Sequence, residues 1–208
     1  MKKLESTITN MVLVLVGVAL ITGCILAYVN HITSGPIKEQ AAKTLAEGIK
    51  SVMGGVELTV AKDDTVKQNI NGKEIVFVIH KAVDANKNDL GVAVESTTGG
   101  FGGDLKVLIG FDVKGTILGY TILQHAETPG LGAKADKWFQ KGGKGCIIGK
   151  NPGTDNFVVK KDGGEIDAIT ASTITTRAFL QAVVQAYNAY SELPVDGNTS
   201  ATKQSVKQ

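Results

Sequence analysis

The sequence predicts an α+β domain behind a single N-terminal membrane-spanning helix. Three observations carry that expectation. Met11 to Val29 holds no charged residue and is almost wholly apolar. The middle of the chain is a series of short apolar runs separated by glycine-bearing turns, the pattern of a mainly antiparallel sheet. The last third closes on a stretch with apolar residues at helical spacing, so helices flank the strands at either end.

Residues 1–10 form the predicted cytoplasmic segment, because Lys2 and Lys3 precede the apolar run and positive charge stays inside. Residues 11–29 form the transmembrane helix, a length close to the roughly 20 residues that cross a hydrocarbon core. Ile21-Thr22-Gly23-Cys24 also has the form of a lipoprotein box, in which the cysteine is lipidated after cleavage. A processed lipoprotein turns polar after that cysteine, whereas this run continues through Ile25, Leu26, Ala27, Tyr28 and Val29, so an uncleaved anchor is expected. Either route tethers the rest of the chain on the extracytoplasmic side.

Residues 30–54 read as a helical stalk. Ser34-Gly35-Pro36 predicts a stop and a restart, with Pro36 in the first turn of the new helix. Ile37, Ala41, Leu45, Ile49 and Val52 then recur on one face. Residues 55–192 form the folded domain. Val56, Leu58 and Val60 alternate; Asn71-Gly72 is a tight-turn signal ahead of Glu74 to Val83; Gly91 to Val94 follows. Leu105 to Asp112 and Thr116 to Leu123 make a hairpin about Val113-Lys114-Gly115. A helix holding Trp138 and Phe139, a Lys141 to Gly149 loop and a short strand at Phe157 to Val159 come next. The final helix runs from about Thr173 to Tyr190, with Leu180, Val183, Val184 and Tyr187 on one face. Pro194 ends it, and residues 193–208 form a polar tail of disordered composition.

Composition excludes several functions. The chain has 208 residues, 22 Lys and Arg against 20 Asp and Glu, and no basic block interleaved with aromatics, so nucleic-acid binding has no support. Two cysteines and three isolated histidines give no metal-ligand spacing. There is no Gly-x-Ser-x-Gly elbow, and Gly143-Lys144-Gly145 is followed by Cys146 rather than the hydroxyl of a phosphate loop. No Gly-x-Gly-x-x-Gly dinucleotide fingerprint is present.

The candidate chemistry lies in Asp167-Ala168-Ile169-Thr170-Ala171-Ser172-Thr173-Ile174-Thr175-Thr176. A run of small hydroxyl residues opens a helix there. A helix start offers unpaired N–H groups and the positive dipole end, both of which favour an anion. Upstream, Gln124-His125-Ala126-Glu127-Thr128-Pro129-Gly130-Leu131-Gly132 leaves a strand and turns. Glu127 and Thr128 there are candidate hydrogen-bonding partners for a ligand, and His125 either tunes it or caps the strand. Gly99-Gly100-Phe101-Gly102-Gly103 is a second loop whose backbone either approaches a ligand or simply turns.

These three segments, in this order behind one membrane span, resemble the FMN-binding domain of the G subunit of the Rnf electron-transport complex. They also resemble its relative, the C subunit of the sodium-pumping NADH:quinone oxidoreductase. The likeness covers about Met11 to Tyr190, and the short length is more like the Rnf protein. The family's flavinylation motif reads Asp-x-x-Ser/Thr-Gly-Ala-Thr-x-Ser/Thr. Asp167, Thr170, Thr173 and Thr175 match it, while Ala171 replaces the glycine and Ser172 the alanine. The resemblance implies covalent FMN on Thr173 through a phosphoester, with Ser172 and Thr175 as reserve acceptors. Asp167 then belongs to the sequence recognised by a separate FAD-dependent flavin transferase. The segment holding His125, Glu127, Thr128, Gly130, Leu131 and Gly132 corresponds to the family's loop near the flavin. Ala171 enters positive φ less readily than glycine.

By resemblance the chain is an electron-relay subunit of a ferredoxin:NAD oxidoreductase that moves Na⁺ or H⁺. It is a redox carrier without a complete active site, partnered by other membrane subunits in the inner membrane. Two rival readings stand beside it: the FMN subunit of the quinone reductase, and a tethered ligand-binding or assembly module that carries no flavin.

Overall fold

A computed structural model describes residues 7–55, 59–70, 73–84 and 88–191. The chain divides into two compact units, Met1–Thr44 and Leu45–Gln208. The first holds helix α1 (Ile8–Val52) as far as Thr44, with apolar side chains from Met11 to Val29 exposed along its length, and the last turns of α1 belong to the second. A helix so long and apolar, with nothing covering it, meets the length and composition needed to cross a bilayer. The predicted break at Ser34-Gly35-Pro36 is not realised, because α1 runs through Pro36. A proline inside a helix removes a single amide donor. In the turn before it, Thr33 Oγ1 donates to the Val29 carbonyl at 2.8 Å and Ser34 Oγ to that of His31 at 3.0 Å.

The second unit is built on a five-stranded sheet of β1 (Thr59–Ile70), β2 (Lys73–Val83), β3 (Asp89–Gly99), β4 (Asp104–Phe111) and β5 (Ile117–Gln124). Each strand pairs antiparallel with the next in sequence, so the sheet is a meander. Short connections permit this, and the β4–β5 turn shows how. Asp112 Oδ1 accepts from the N–H groups of Lys114 and Thr116, both at 2.8 Å, which fixes the predicted hairpin. The β1–β2 register runs to Ile70↔Lys73; Asn71-Gly72, Val56 and Leu58 lie outside the described residues.

Two strands outrun their sequence signals. β1 continues to Ile70 through polar residues, because it is an edge strand whose alternate side chains are exposed. β3 extends from the predicted Gly91–Val94 to Asp89–Gly99, since Glu95, Ser96 and Thr98 are polar residues that are nonetheless buried. The predicted strand at Phe157–Val159 reduces to one parallel bridge, Val159↔Ile166, before a 3-10 turn at Lys160–Asp162. The chain reverses there at once, with Lys160 N–H donating to the Ile166 carbonyl at 2.9 Å.

Helical residues pack on both faces of the sheet. On one face lies α3 (Thr173–Tyr190), where Phe179, Leu180, Val183 and Ala186 pack with Val94, Leu105, Val107, Ile109 and Phe111. On the other, Ile49, Val52 and Met53 meet Ala82, Ala93 and Leu108. The contact is close because Gly110 and Gly119 present bare Cα atoms to Val52, where a Cβ would collide with its backbone. The segment after β5 is pinned by Tyr120, whose hydroxyl donates to the Ala135 carbonyl at 2.6 Å and accepts from Phe139 N–H at 3.2 Å. Burial pushes that phenol well above the usual tyrosine range. The helix predicted around Trp138 and Phe139 is a single turn, α2 (Ala135–Trp138), and Phe139 stacks on Phe179 with ring centroids 4.2 Å apart. Pro194 and the tail from residue 193 lie outside the described residues.

Candidate functional site

The three segments singled out in the sequence converge on one cavity of about 380 Å³. Phe101 comes from the β3–β4 glycine loop. Glu127, Thr128, Leu131 and Gly132 come from the segment after β5, and Ala171 to Thr175 from the start of α3. A volume of this order falls in the range of small-molecule sites, roughly 300–1,000 Å³. Phe101, Leu131 and Ile174 give the mouth an apolar character, since each is a large hydrophobic side chain left exposed. Among the described residues, no Lys or Arg lines it.

Glu127 holds these segments together. It is only 6% exposed, and both carboxylate oxygens are engaged. Oε1 accepts from Phe101 N–H at 2.7 Å and from Gly102 N–H at 3.4 Å, and Oε2 accepts from Thr175 Oγ1 at 2.8 Å. Gly100 and Gly132 make room for it: a Cβ at either would run into a Glu127 carboxylate oxygen. Gly100 and Gly132 are thus explained by close approach to a side chain.

The start of α3 is shaped by Ala171, which takes φ 60°, the only non-glycine positive φ among the described residues. Ser172 follows as the N-cap without a side-chain capping bond. The first intrahelical bond runs from Thr176 N–H to the Ser172 carbonyl at 3.0 Å, so the N–H groups of residues 173–175 have no helical acceptor. Thr176 Oγ1 is committed, donating to the Ser172 carbonyl at 3.0 Å and accepting from Ile169 N–H at 3.0 Å. Thr173 is half-buried in the cavity wall and its hydroxyl has no hydrogen-bond partner among the described residues. A free hydroxyl beside unpaired N–H groups at a dipole's positive end suits a phosphate ester. The residues present therefore fit a flavin phosphate.

The other sequence candidates lie off the cavity wall. Asp167 faces Lys160, with Nζ 2.7 Å from Oδ2, and its carbonyl accepts from Trp138 Nε1 at 2.8 Å. Thr170 is exposed, and Gly130 forms an exposed turn at φ 77°. His125 sits in a neighbouring cleft, where Nδ1 accepts from Glu127 N–H at 3.2 Å and Nε2 lies 3.9 Å from Asp136.

Sequence reasoning missed a second polar cluster. His80 on β2 is buried between Asp63 on β1, 2.6 Å from Nδ1, and Glu95 on β3, 2.9 Å from Nε2. Lys106 on β4 closes the row on Glu95. The Glu95 hydrogen bond holds the His80 imidazole above the usual histidine range against the effect of burial. Burial pulls the Glu95 carboxyl upward, but hydrogen bonds from His80 and Lys106 outweigh it and keep it below the usual range. The signal was four charged residues at positions that face one side of adjacent strands, and it needs the register to be visible.

The chain is similar to several known proteins. Residues 100–188 match the family described as FMN-binding domain, a span that takes in all the cavity-lining segments. The G subunit of the ion-translocating oxidoreductase complex of Shewanella amazonensis is 32% identical over 194 residues, covering 86% of this chain and 86% of that protein. The G subunit of the Na⁺-translocating ferredoxin:NAD⁺ oxidoreductase complex of Acetobacterium woodii is 31% identical over 192 residues, covering 87% of this chain and 90% of its own length. A crystal structure of the C subunit of the Na⁺-translocating NADH-quinone reductase from Parabacteroides distasonis aligns with 75% of this chain and 94% of its own at TM-score 0.49 and 19% identity.

Proposed function

The chain belongs to the family of G subunits of ion-translocating oxidoreductase complexes, and on that premise we propose that it carries FMN esterified to Thr173 and relays electrons within such a complex. The observation that carries the proposal is the Thr173 hydroxyl, unpartnered among the described residues, in a cavity wall beside the unpaired N–H groups of α3. FMN supplies reversible electron transfer when bound. The protein's own part is to bind, orient and shield. The N–H groups of residues 173–175 receive the phosphate oxygens, and Phe101, Leu131 and Ile174 offer apolar surface to a ring.

Attachment falls to a separate flavin transferase. The Thr173 oxygen attacks the flavin-side phosphorus of FAD, the Oγ–P ester forms as the pyrophosphate bond breaks, and AMP leaves. Asp167 and Thr170, which lie off the cavity wall, then serve as part of the sequence the transferase reads. The partners in electron transfer are other membrane subunits of a ferredoxin:NAD oxidoreductase. Lys2 and Lys3 favour an N-terminus in the cytoplasm, which puts the domain outside the inner membrane.

The test is co-expression of the full chain with a flavin transferase, followed by a denaturing gel viewed under ultraviolet light. A glowing band that Thr173→Ala abolishes and Thr175→Ala retains is the expected result. A dark wild-type band contradicts the proposal.

A further inference from the structure

Four hydroxyls line the cavity, those of Thr128, Ser172, Thr173 and Thr175, and the three at the start of α3 differ in their surroundings. Thr175 is 1% exposed and donates to Glu127 Oε2 at 2.8 Å. Thr173 is half-buried and has no partner among the described residues. Ser172 is buried and precedes the helix. Glu127 could be read as a ligand for the flavin, but its oxygens already accept from Phe101, Gly102 and Thr175. No Lys or Arg stands among the residues of the cavity wall.

We infer that Glu127 determines which hydroxyl is flavinylated: its carboxylate withholds Thr175 and leaves the phosphoryl group to Thr173. The inference rests on the attachment proposed above. Two physical effects act together. The Thr175 oxygen is buried and held against the carboxylate by its hydrogen bond, which keeps it from an incoming phosphorus, and such charge-assisted bonds are among the stronger ones. A phosphodiester on Thr175 would also carry its anionic oxygen against that carboxylate, a like-charge contact in a partly desolvated pocket. On Thr173 the same oxygen meets the unpaired N–H groups of the first turn instead. In either case the oxygen attacks the flavin-side phosphorus of FAD, one Oγ–P bond forms, one P–O bond to AMP breaks, and the hydroxyl proton passes to solvent without a redox change. Glu127 is a positioning residue in this scheme, not a reactant.

The experiment locates FMN by peptide mass spectrometry after co-expression of full-length variants with a flavin transferase. Wild type is expected to carry FMN on Thr173 alone, and Thr173→Ala to carry none. Glu127→Gln keeps the side-chain size while removing the charge, and Glu127→Ala removes both; either single variant is expected to retain label on Thr173. Thr173→Ala combined with Glu127→Gln or with Glu127→Ala is expected to gain label on Thr175. Both double variants staying dark overturns the inference, because something other than Glu127 then excludes Thr175. Loss of Thr173 labelling in both Glu127 single variants overturns it too, in favour of a role in folding alone. Label on Thr175 in Thr173→Ala with Glu127 intact sinks the selection while leaving attachment in place. A wild-type chain without flavin, or with flavin on Ser172, removes the attachment and the selection with it.

Discussion

Ala171 stands where the family motif has glycine, and the backbone keeps the glycine conformation at φ 60°. A left-handed residue with a Cβ costs about 1–2 kcal/mol, partly offset by the lower entropy of an unfolded alanine. Ala171→Gly is therefore expected to stabilise the domain by ~0.5–1 kcal/mol, read as a higher urea midpoint of the detergent-solubilised chain; a lower midpoint would contradict the strain. Two further residues give stability a pH dependence. The His80 pKa is raised on folding, so its contribution is complete below the unfolded value of about 6.5 and is lost as pH climbs through the folded one. Glu95 is the reverse: its pKa is lowered, so its contribution holds above about 4.3 and is lost as pH falls through the folded value. His80→Gln, which leaves Glu95 buried without its imidazole, is expected to cost about 3 kcal/mol near pH 6. The gap from wild type narrows as pH rises. A gap in denaturant midpoints that widens toward alkaline pH would contradict the assignment. The motif residues Thr173, Glu127 and Leu131 were legible because they sit in short runs with local meaning. The His80 row was not, because its members are 11 to 17 positions apart in sequence and meet only through strand register.

At the scale of elements, the cavity depends on how closely the turn after β5 approaches the start of α3. Gly132 has no room for a side chain, since a Cβ would meet both Glu127 Oε2 and Thr175 Oγ1. Gly132→Ala is expected to break that bridge and cost about 1–3 kcal/mol, read as a lower urea midpoint. Wild-type stability would mean that the turn gives way freely. Helix α3 and the β4–β5 hairpin were readable from period and turn chemistry. The lengths of β1 and β3 were not, because an edge strand and a buried polar stretch both depart from simple apolar alternation. The continuity of α1 through Pro36 escaped for a related reason: local propensity marks a break at Ser34-Gly35-Pro36, whereas the helix runs on through the proline.

The whole molecule pairs an apolar helix fit for a bilayer with a domain whose cavity sits at a helix start. The covalent tether proposed above would suit the proposed extracytoplasmic placement, where a freely dissociating cofactor would be lost. Fusion of alkaline phosphatase after the domain is expected to be active and fusion of a fluorescent protein dark, since the first folds outside the cytoplasm and the second inside; the opposite pair would reverse the orientation drawn from Lys2 and Lys3. Attachment of the flavin to Thr173 is tested most directly by mass analysis of chain matured with a flavin transferase. The expected result is an intact mass increased by one FMN less one water, with the addition on the peptide bearing Thr173. Bare polypeptide, or an addition on any other residue, would contradict it.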